Sequence, residues 1–239
     1  MKIPKKGKVI AIDGPAGTGK SSATKLLAKA LGFVHVDTGA LYRGVALLCE
    51  RQGLDFSKLS PPYDEKTQEF ATEIARAAHF QFRIEPELNP SQRLFVNGED
   101  VSDYIRTPEI SMGASRVSAI PGVRASLLGL QRYLGCEQNA ILEGRDIGTV
   151  VFPDADVKFF LGASVEERAK RRLAELESRG MDIPSFEELK AQMVERDRGD
   201  SERAIAPLKK ADDAVEIDTT QLTLDQVVEK MRTEFEKRR

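Results

Sequence analysis

The chain has no tryptophan, two histidines and two cysteines in 239 residues, and only 6% of it is aromatic. Each scarcity excludes something. Cys49 and Cys136 lack the spacing of metal ligands, and two thiols are too few to staple a small secreted scaffold. Cys49 falls on an apolar helical pattern, which predicts a buried thiol. His35 alternates within an apolar run and His79 precedes another, so both read as structural and no catalytic histidine is expected. The net charge of −2 gives no basic field, so no nucleic-acid partner is expected. No apolar run approaches the ~18 residues of a membrane span, so no membrane partner is expected either. The segment Met1-Lys-Ile-Pro-Lys-Lys-Gly-Lys8 is basic but has no separate apolar region or cleavage site, so a signal peptide is not expected.

What is present suits a globular protein: 41% apolar and 31% charged residues. A chain of this length can bury one sizeable core, with room for a subdomain. The most informative stretch is Gly14-Pro15-Ala16-Gly17-Thr18-Gly19-Lys20-Ser21, which fits the phosphate-binding P-loop pattern G-x-x-x-x-G-K-[ST]. Its flanks support the match. Lys8 to Ile12 reads as a buried strand. Lys20 to Leu31 carries Ala23, Leu26, Leu27, Ala30 and Leu31 at helical spacing, with Gly32 as a stop. Glycines let backbone N–H groups curl around an anion, and the helix N-terminus adds positive potential. Lys20 is placed to reach the β- and γ-phosphates, and the Ser21 hydroxyl to ligate Mg²⁺. A glycine-rich turn that binds nothing is the alternative, and the strand and helix on either side argue against it. A nucleotide motif with so few cysteines points to a reducing cytoplasm.

Strand-like runs alternate with helical ones. After the first strand come Phe33–Asp37, Ala140–Glu143, Val157–Leu161 and Ala214–Asp218. Helical patterns cover Leu41–Arg51, Val165–Arg179, Phe186–Arg198 and Thr223–Lys237, the last opened by a Thr223-x-x-Gln226 capping box. This order predicts an α/β fold: a five-stranded parallel sheet with helices on both faces. The middle breaks the rhythm. One helix, Glu65–Ala78, precedes strand-like Phe80–Ile84 and Arg93–Val96, and Asn97-Gly98 signals a hairpin. A small antiparallel insertion is expected there, and helices at Glu109–Ser118 and Val123–Tyr133 lead back to the sheet. The whole reads as one P-loop domain: core about 7–60, 105–165 and 205–239, insertion about 61–104, and a lid about 166–204.

Two further stretches choose the chemistry. Asp37-Thr38-Gly39-Ala40-Leu41-Tyr42-Arg43 follows the second strand, and Gly144-Arg145-Asp146-Ile147-Gly148-Thr149 follows the third. Ligands of open α/β sheets bind at the carboxyl ends of strands, so both face the crevice. Arginine is dense beyond them, with Arg168, Arg171, Arg172 and Arg179 on one helix, Arg196 and Arg198 on the next, and Arg203 after it. Arg179 and Arg198 read as a solvated face. The rest suit a lid hinged at Gly180–Pro184, which closes to bring guanidinium groups to a transferring phosphoryl group. A well-placed arginine is worth ~10³-fold or more in such a reaction. No strand with a terminal aspartate of Walker B type stands out. Asp37 ends its strand and is a candidate for Mg²⁺ through water, or a helix cap; Asp13 is expected to shape the P-loop.

Taken together, Ile12–Ser21, Asp37–Arg43, Glu143–Asp154, Glu195-Arg-Asp197 and Arg203–Leu208 resemble the bacterial cytidylate kinases, over nearly the whole chain and in the same order. The resemblance implies transfer of the γ-phosphoryl group of ATP to CMP or dCMP with Mg²⁺. It implies that Gly14, Pro15, Ala16, Gly17, Thr18, Gly19, Lys20, Ser21 and Ser22 bind ATP. By the same resemblance Arg43, Arg145 and Arg203 hold the CMP phosphate, and Thr38, Ser115, Arg124 and Asp146 face the cytosine. Asp200 and Arg196 lie near the sugar or the lid. Lys20, Arg43, Arg145, Arg171, Arg196 and Arg203 form the catalytic set, with Arg171 and Arg196 neutralising charge on the migrating group. Two positions depart from the family pattern: Thr38 replaces a serine, and Gly199 stands where an arginine is expected.

The base assignment has its own physical sense, because a carboxylate accepts from the cytosine 4-amino group and uracil offers an acceptor there instead. The rivals are a kinase for another acceptor, such as UMP, AMP or shikimate, and a nucleotide-binding regulator without catalysis. A GTPase would need an Asn-Lys-x-Asp stretch, which is absent. No long exposed apolar seam is evident, so a monomer is expected.

Overall fold

The run Val-Ile-Ala-Ile-Asp forms β1 (Val9–Asp13), buried at every position, as an inner strand covered on both faces must be. It belongs to a computed structural model that describes residues 3–59, 61–85, 87, 92–178, 180 and 184–238. Next come α1 (Lys20–Leu31), β2 (Val34–Asp37), α2 (Thr38–Arg51) and α3 (Glu65–Ala77). After them come β3 (Phe80–Ile84), β4 (Gln92–Val96), β5 (Glu99–Asp100), α4 (Pro108–Val117) and α5 (Pro121–Cys136). The chain then runs through β6 (Ala140–Gly144), β7 (Val157–Gly162), α6 (Val165–Ser178), α7 (Phe186–Glu202), β8 (Val215–Asp218) and α8 (Leu224–Lys237). Two compact units result, residues 1–37 with 132–239, and residues 38–131.

In the first unit the strands order as β2-β6-β1-β7-β8, and every neighbouring pair is parallel. Alternate side chains choose the faces. Ile10 and Ile12, Ile141, Phe159 and Leu161, and Ile217 pack with Ala23 and Leu27 of α1 and with Val227, Met231 and Phe235 of α8. Phe33 meets Phe235 edge-on, 5.6 Å between ring centroids. Leu142 points the other way. A Cβ on Gly135, in the last turn of α5, would fall 2.7 Å from the Phe152 ring and 2.9 Å from Leu142, so the helix can close on that face only at a glycine. The capping box of α8 forms as expected, Thr223 and Gln226 each accepting from the other's backbone N–H. Ser185 and Glu188 build a second one at the start of α7, which runs past the expected end at Arg198 to Glu202. Of the expected lid, Arg179 and residues 181–183 lie outside the described residues.

The second unit holds the antiparallel sheet β3-β4-β5. Asn97 (φ 51°) and Gly98 (φ 87°) turn the β4–β5 hairpin, the left-handed pair such a turn demands. The expected insertion at 61–104 lies within this unit, which also takes in α2, α4 and most of α5. Leu41, Val45, Phe56, Ile74, Leu94, Ile110 and Val117 belong to its core. Helix α2 starts at Thr38, earlier than the periodicity from Leu41 suggests. Starting there buries Thr38, Ala40, Leu41 and Tyr42 together, so the residues before Leu41 form the first helical turn. Among the described residues no helix is long and apolar enough to cross a membrane.

Candidate active site

The P-loop leaves β1 under tight constraint. Gly14 has φ 144°, and a Cβ there would fall 2.1 Å from the Leu161 carbonyl oxygen of β7. At Gly17 (φ 78°) a Cβ would meet Met193 at 2.9 Å and the Cβ of Arg168 at 3.0 Å. Both positions demand glycine, by conformation and by space. Gly19 caps α1 and brings no side chain to its first-turn N–H groups, which is the arrangement that receives an anion. Pro15, Ala16 and Gly17 are partly buried, Thr18 is buried, and Ser21 and Ser22 are exposed. The buried Lys20 ammonium donates to the Pro15 carbonyl and lies 3.4 Å from the Thr18 hydroxyl. Burial, and then the neighbouring Arg145, push the Lys20 pKa well down, against the pull of Glu143 and Asp13. A phosphate is the partner that would reverse that cost.

The end of β6 stands beside this loop. Glu143, 4% exposed, accepts from the Ser21 hydroxyl at 2.7 Å and contacts the His35 Nε2 at 2.8 Å. Asp13, expected from the sequence to shape the P-loop, instead holds the turn after β6. Its two oxygens accept from the backbone N–H groups of Ile147 (2.8 Å) and Gly148 (2.7 Å), holding the π-helical turn Ile147–Val151 that follows β6. Two N–H donors in that turn outbid the loop for the carboxylate. Burial raises the Asp13 carboxyl to about 6 although both N–H bonds work against the shift.

Four predicted residues meet in this same unit. Arg145 Nε donates to Asp200 Oδ2 at 3.0 Å, and Arg203 Nη2 lies 3.8 Å from Asp146 Oδ1. Burial works to raise the Asp200 carboxyl, but Arg145, Arg196 and Arg203 together hold it below the usual range. Arg168 is a structural strut: it pairs with Asp197 at 2.6 Å and donates to the Ala16 carbonyl of the P-loop at 3.2 Å. Arg171 donates to the Thr219 hydroxyl (3.0 Å) and carbonyl (2.8 Å), and Thr219 in turn donates to the Thr18 carbonyl. Arg172 and Arg198 pair along their own helices with Glu175 and Glu195. The remaining predicted residues belong to the second unit. Thr38 is buried at the start of α2, and Arg43 is partly buried one turn on. The buried Arg124 lies over the Tyr42 ring, 5.4 Å from its centroid, and donates to the Ser118 carbonyl at 3.2 Å. Ser115 is in α4, its carbonyl accepting from the Ser118 hydroxyl.

Comparison with known proteins agrees with this geometry. The family model described as cytidylate kinase matches residues 10–237. The chain belongs to the cytidylate kinase family. It is 48% identical to the curated cytidylate kinase of Citrifermentans bemidjiense over 238 residues, which are 99% of this chain and 96% of that one. The cytidylate kinase of Syntrophotalea carbinolica is 49% identical over 93% of this chain and 89% of its own. That of Limosilactobacillus fermentum is 43% identical over 97% of both. As a member of the cytidylate kinase family the chain is an ATP-dependent phosphotransferase.

Phosphoryl transfer in such a family typically involves a divalent metal, and the donor set fits one. The Ser21 hydroxyl, the Glu143 carboxylate and Asp37, paired in register with Glu143 across β2 and β6, are hard oxygen donors. Among the described residues no three His, Cys, Asp or Glu side chains form a metal cage. A cation here would therefore be held largely by substrate phosphates. Sequence reasoning missed Glu143. The signal was the apolar strand Ala-Ile-Leu ending in a carboxylate, with glutamate where aspartate was sought.

Proposed function

We propose that this chain transfers the γ-phosphoryl group of ATP to CMP or dCMP, giving ADP and CDP or dCDP. The observation that carries the reading is the cluster of partly buried Arg145 and Arg203 with buried Asp200 and Asp146, in a member of the cytidylate kinase family, with Arg145 close enough to depress Lys20. A nucleotide-binding regulator has no need of such a cluster beyond its P-loop. A phosphate oxygen of CMP attacks the γ-phosphorus in line. One P–O bond forms, the bond to the β–γ bridging oxygen breaks, and ADP leaves. The acceptor oxygen is already anionic, so no general base is required.

Gly14 to Ser22 cradle the donor phosphates, with Lys20 on the β- and γ-groups. Ser21 Oγ, and Asp37 through water, would hold Mg²⁺, which would supply charge neutralisation to those oxygens. In the first unit Arg145 and Arg203 hold the acceptor phosphate, Asp200 orients the arginines beside the sugar, and Asp146 reads the base. In the second unit Arg43 binds the acceptor phosphate, and Thr38, Ser115 and Arg124 face the cytosine. That unit serves as the monophosphate-binding part, and residues 166–204 as the lid, with Arg171 and Arg196 neutralising the migrating group. All these contacts come from one chain, so a monomer suffices, and its two free thiols suit the cytoplasm.

A coupled ADP-release assay tests the reading with CMP, dCMP, UMP, AMP and GMP, using Lys20→Ala as the blank. CMP and dCMP are expected to turn over fastest. Asp146→Ala should lose at least about tenfold of the preference for CMP over UMP, because the base-facing acceptor is gone. Equal rates with CMP and UMP in the parent enzyme would overturn the base assignment. ADP release independent of any acceptor would overturn the kinase reading.

A further inference from the structure

We infer that His35 is a positioning residue for the divalent ion that accompanies ATP, acting through Glu143 on Ser21. The inference rests on the reading that Ser21 meets that ion. Glu143 is nearly sealed from solvent, and its two oxygens are divided between two donors: Oε2 accepts from the Ser21 hydroxyl and Oε1 from His35 Nε2. The strand register places them so. β2 lies beside β6 with Asp37 opposite Glu143, and His35, two residues earlier, projects to the same face as Asp37.

The terminal torsion of a glutamate is soft, so the carboxylate plane alone does not choose a direction. With Oε1 held by His35, the plane is fixed and Oε2 is turned to the P-loop. The Ser21 O–H then points at Glu143, and the Oγ lone pairs face away from it, as a hydroxyl must present them to ligate a cation. His35 therefore sets the ligand orientation without touching the ion. Partners of this outer kind, when removed, cost roughly 10–100-fold in metal affinity at other sites.

The test compares ATP binding with Mg²⁺ and in EDTA, by calorimetry on the full chain. The ratio of the two affinities is the metal increment. His35→Ala is expected to cut the increment about tenfold and to leave binding in EDTA within about twofold. His35→Gln, whose amide N–H can stand in for Nε2–H, should restore most of it. If His35→Ala does not fold, His35→Asn, polar but too short to reach Oε1, carries the same expectation. An unchanged increment overturns the inference. So does an equal loss with and without Mg²⁺, which is what a packing role alone would give. Ser21→Ala separates the two levels: if it abolishes the increment while His35→Ala keeps it, the metal reading stands and the role of His35 falls. If the parent enzyme binds ATP no more tightly with Mg²⁺, both fall.

Discussion

Asp200 shows how a single side chain carries charge for a whole site. It is 4% exposed, and burial alone would keep its carboxyl protonated to higher pH. Three guanidinium groups, of Arg145, Arg196 and Arg203, outweigh that penalty and hold its pKa below the ordinary 3.8. A carboxyl with a depressed folded pKa adds stability above its unfolded value, and that contribution is lost as pH falls through the folded one. Asp200→Asn removes the contribution and takes one negative charge away from three partly buried cations. At pH 7 the variant should be about 3 kcal/mol less stable by denaturant unfolding. The gap should narrow as pH falls below 3.8. A gap that stays constant down to acid pH would show that the arginines do not depend on the Asp200 charge. Removing Asp200 should also release the Arg145 guanidinium from that carboxylate, so activity should fall with stability.

At the scale of the element, local signals explain most of what forms and fail where distant contacts decide. The helical spacing of Leu224, Val227, Val228, Met231 and Phe235 and the Thr223 capping box made α8 legible, because both are short-range. The P-loop was legible for the same reason: Gly14 and Gly17 are required by their own φ angles and close neighbours. The turn at Ile147–Val151 was not, since Asp13 organises it from 134 residues away. Helix α7 ran past its expected end at Arg198, and Asp200, two residues before its stop at Glu202, is bound by Arg145. Within α7, Gly199 breaks the family pattern and is also a poor helix former. It is exposed, outside the left-handed φ region, and a Cβ there meets nothing within 4 Å. Gly199→Ala should therefore stabilise the protein by about 0.5–1 kcal/mol. Calorimetry should show the melting temperature rise by about 1–4 °C. A fall would mean that glycine is required at this point of the helix.

Over the whole molecule, the class of fold and the chemistry were readable while the arrangement was not. Five apolar runs announced five strands, and their placement at strand ends announced the site. The order β2-β6-β1-β7-β8 was not announced, because which strand lies beside which depends on packing between residues far apart in the chain, 131 positions for Val9 and Ala140. Glu143 shows the same limit at the site: its value comes from Ser21, 122 residues earlier, and from His35. The buried Lys20 gives the fold one global consequence. Its ammonium is held in a place that disfavours charge, so the folded protein should gain stability when donor phosphates arrive. A ligand at a hundred times its dissociation constant adds about 2.7 kcal/mol. For a chain of this size that is a rise of roughly 5–10 °C in melting temperature. MgATP should produce it in the parent protein, measured by differential scanning fluorimetry. Lys20→Ala, compared with its own ligand-free melting point, should show less than about 2 °C at the same concentration. An equal shift in both would place the donor phosphates away from Lys20 and undo the reading of the P-loop on which the rest of the site depends.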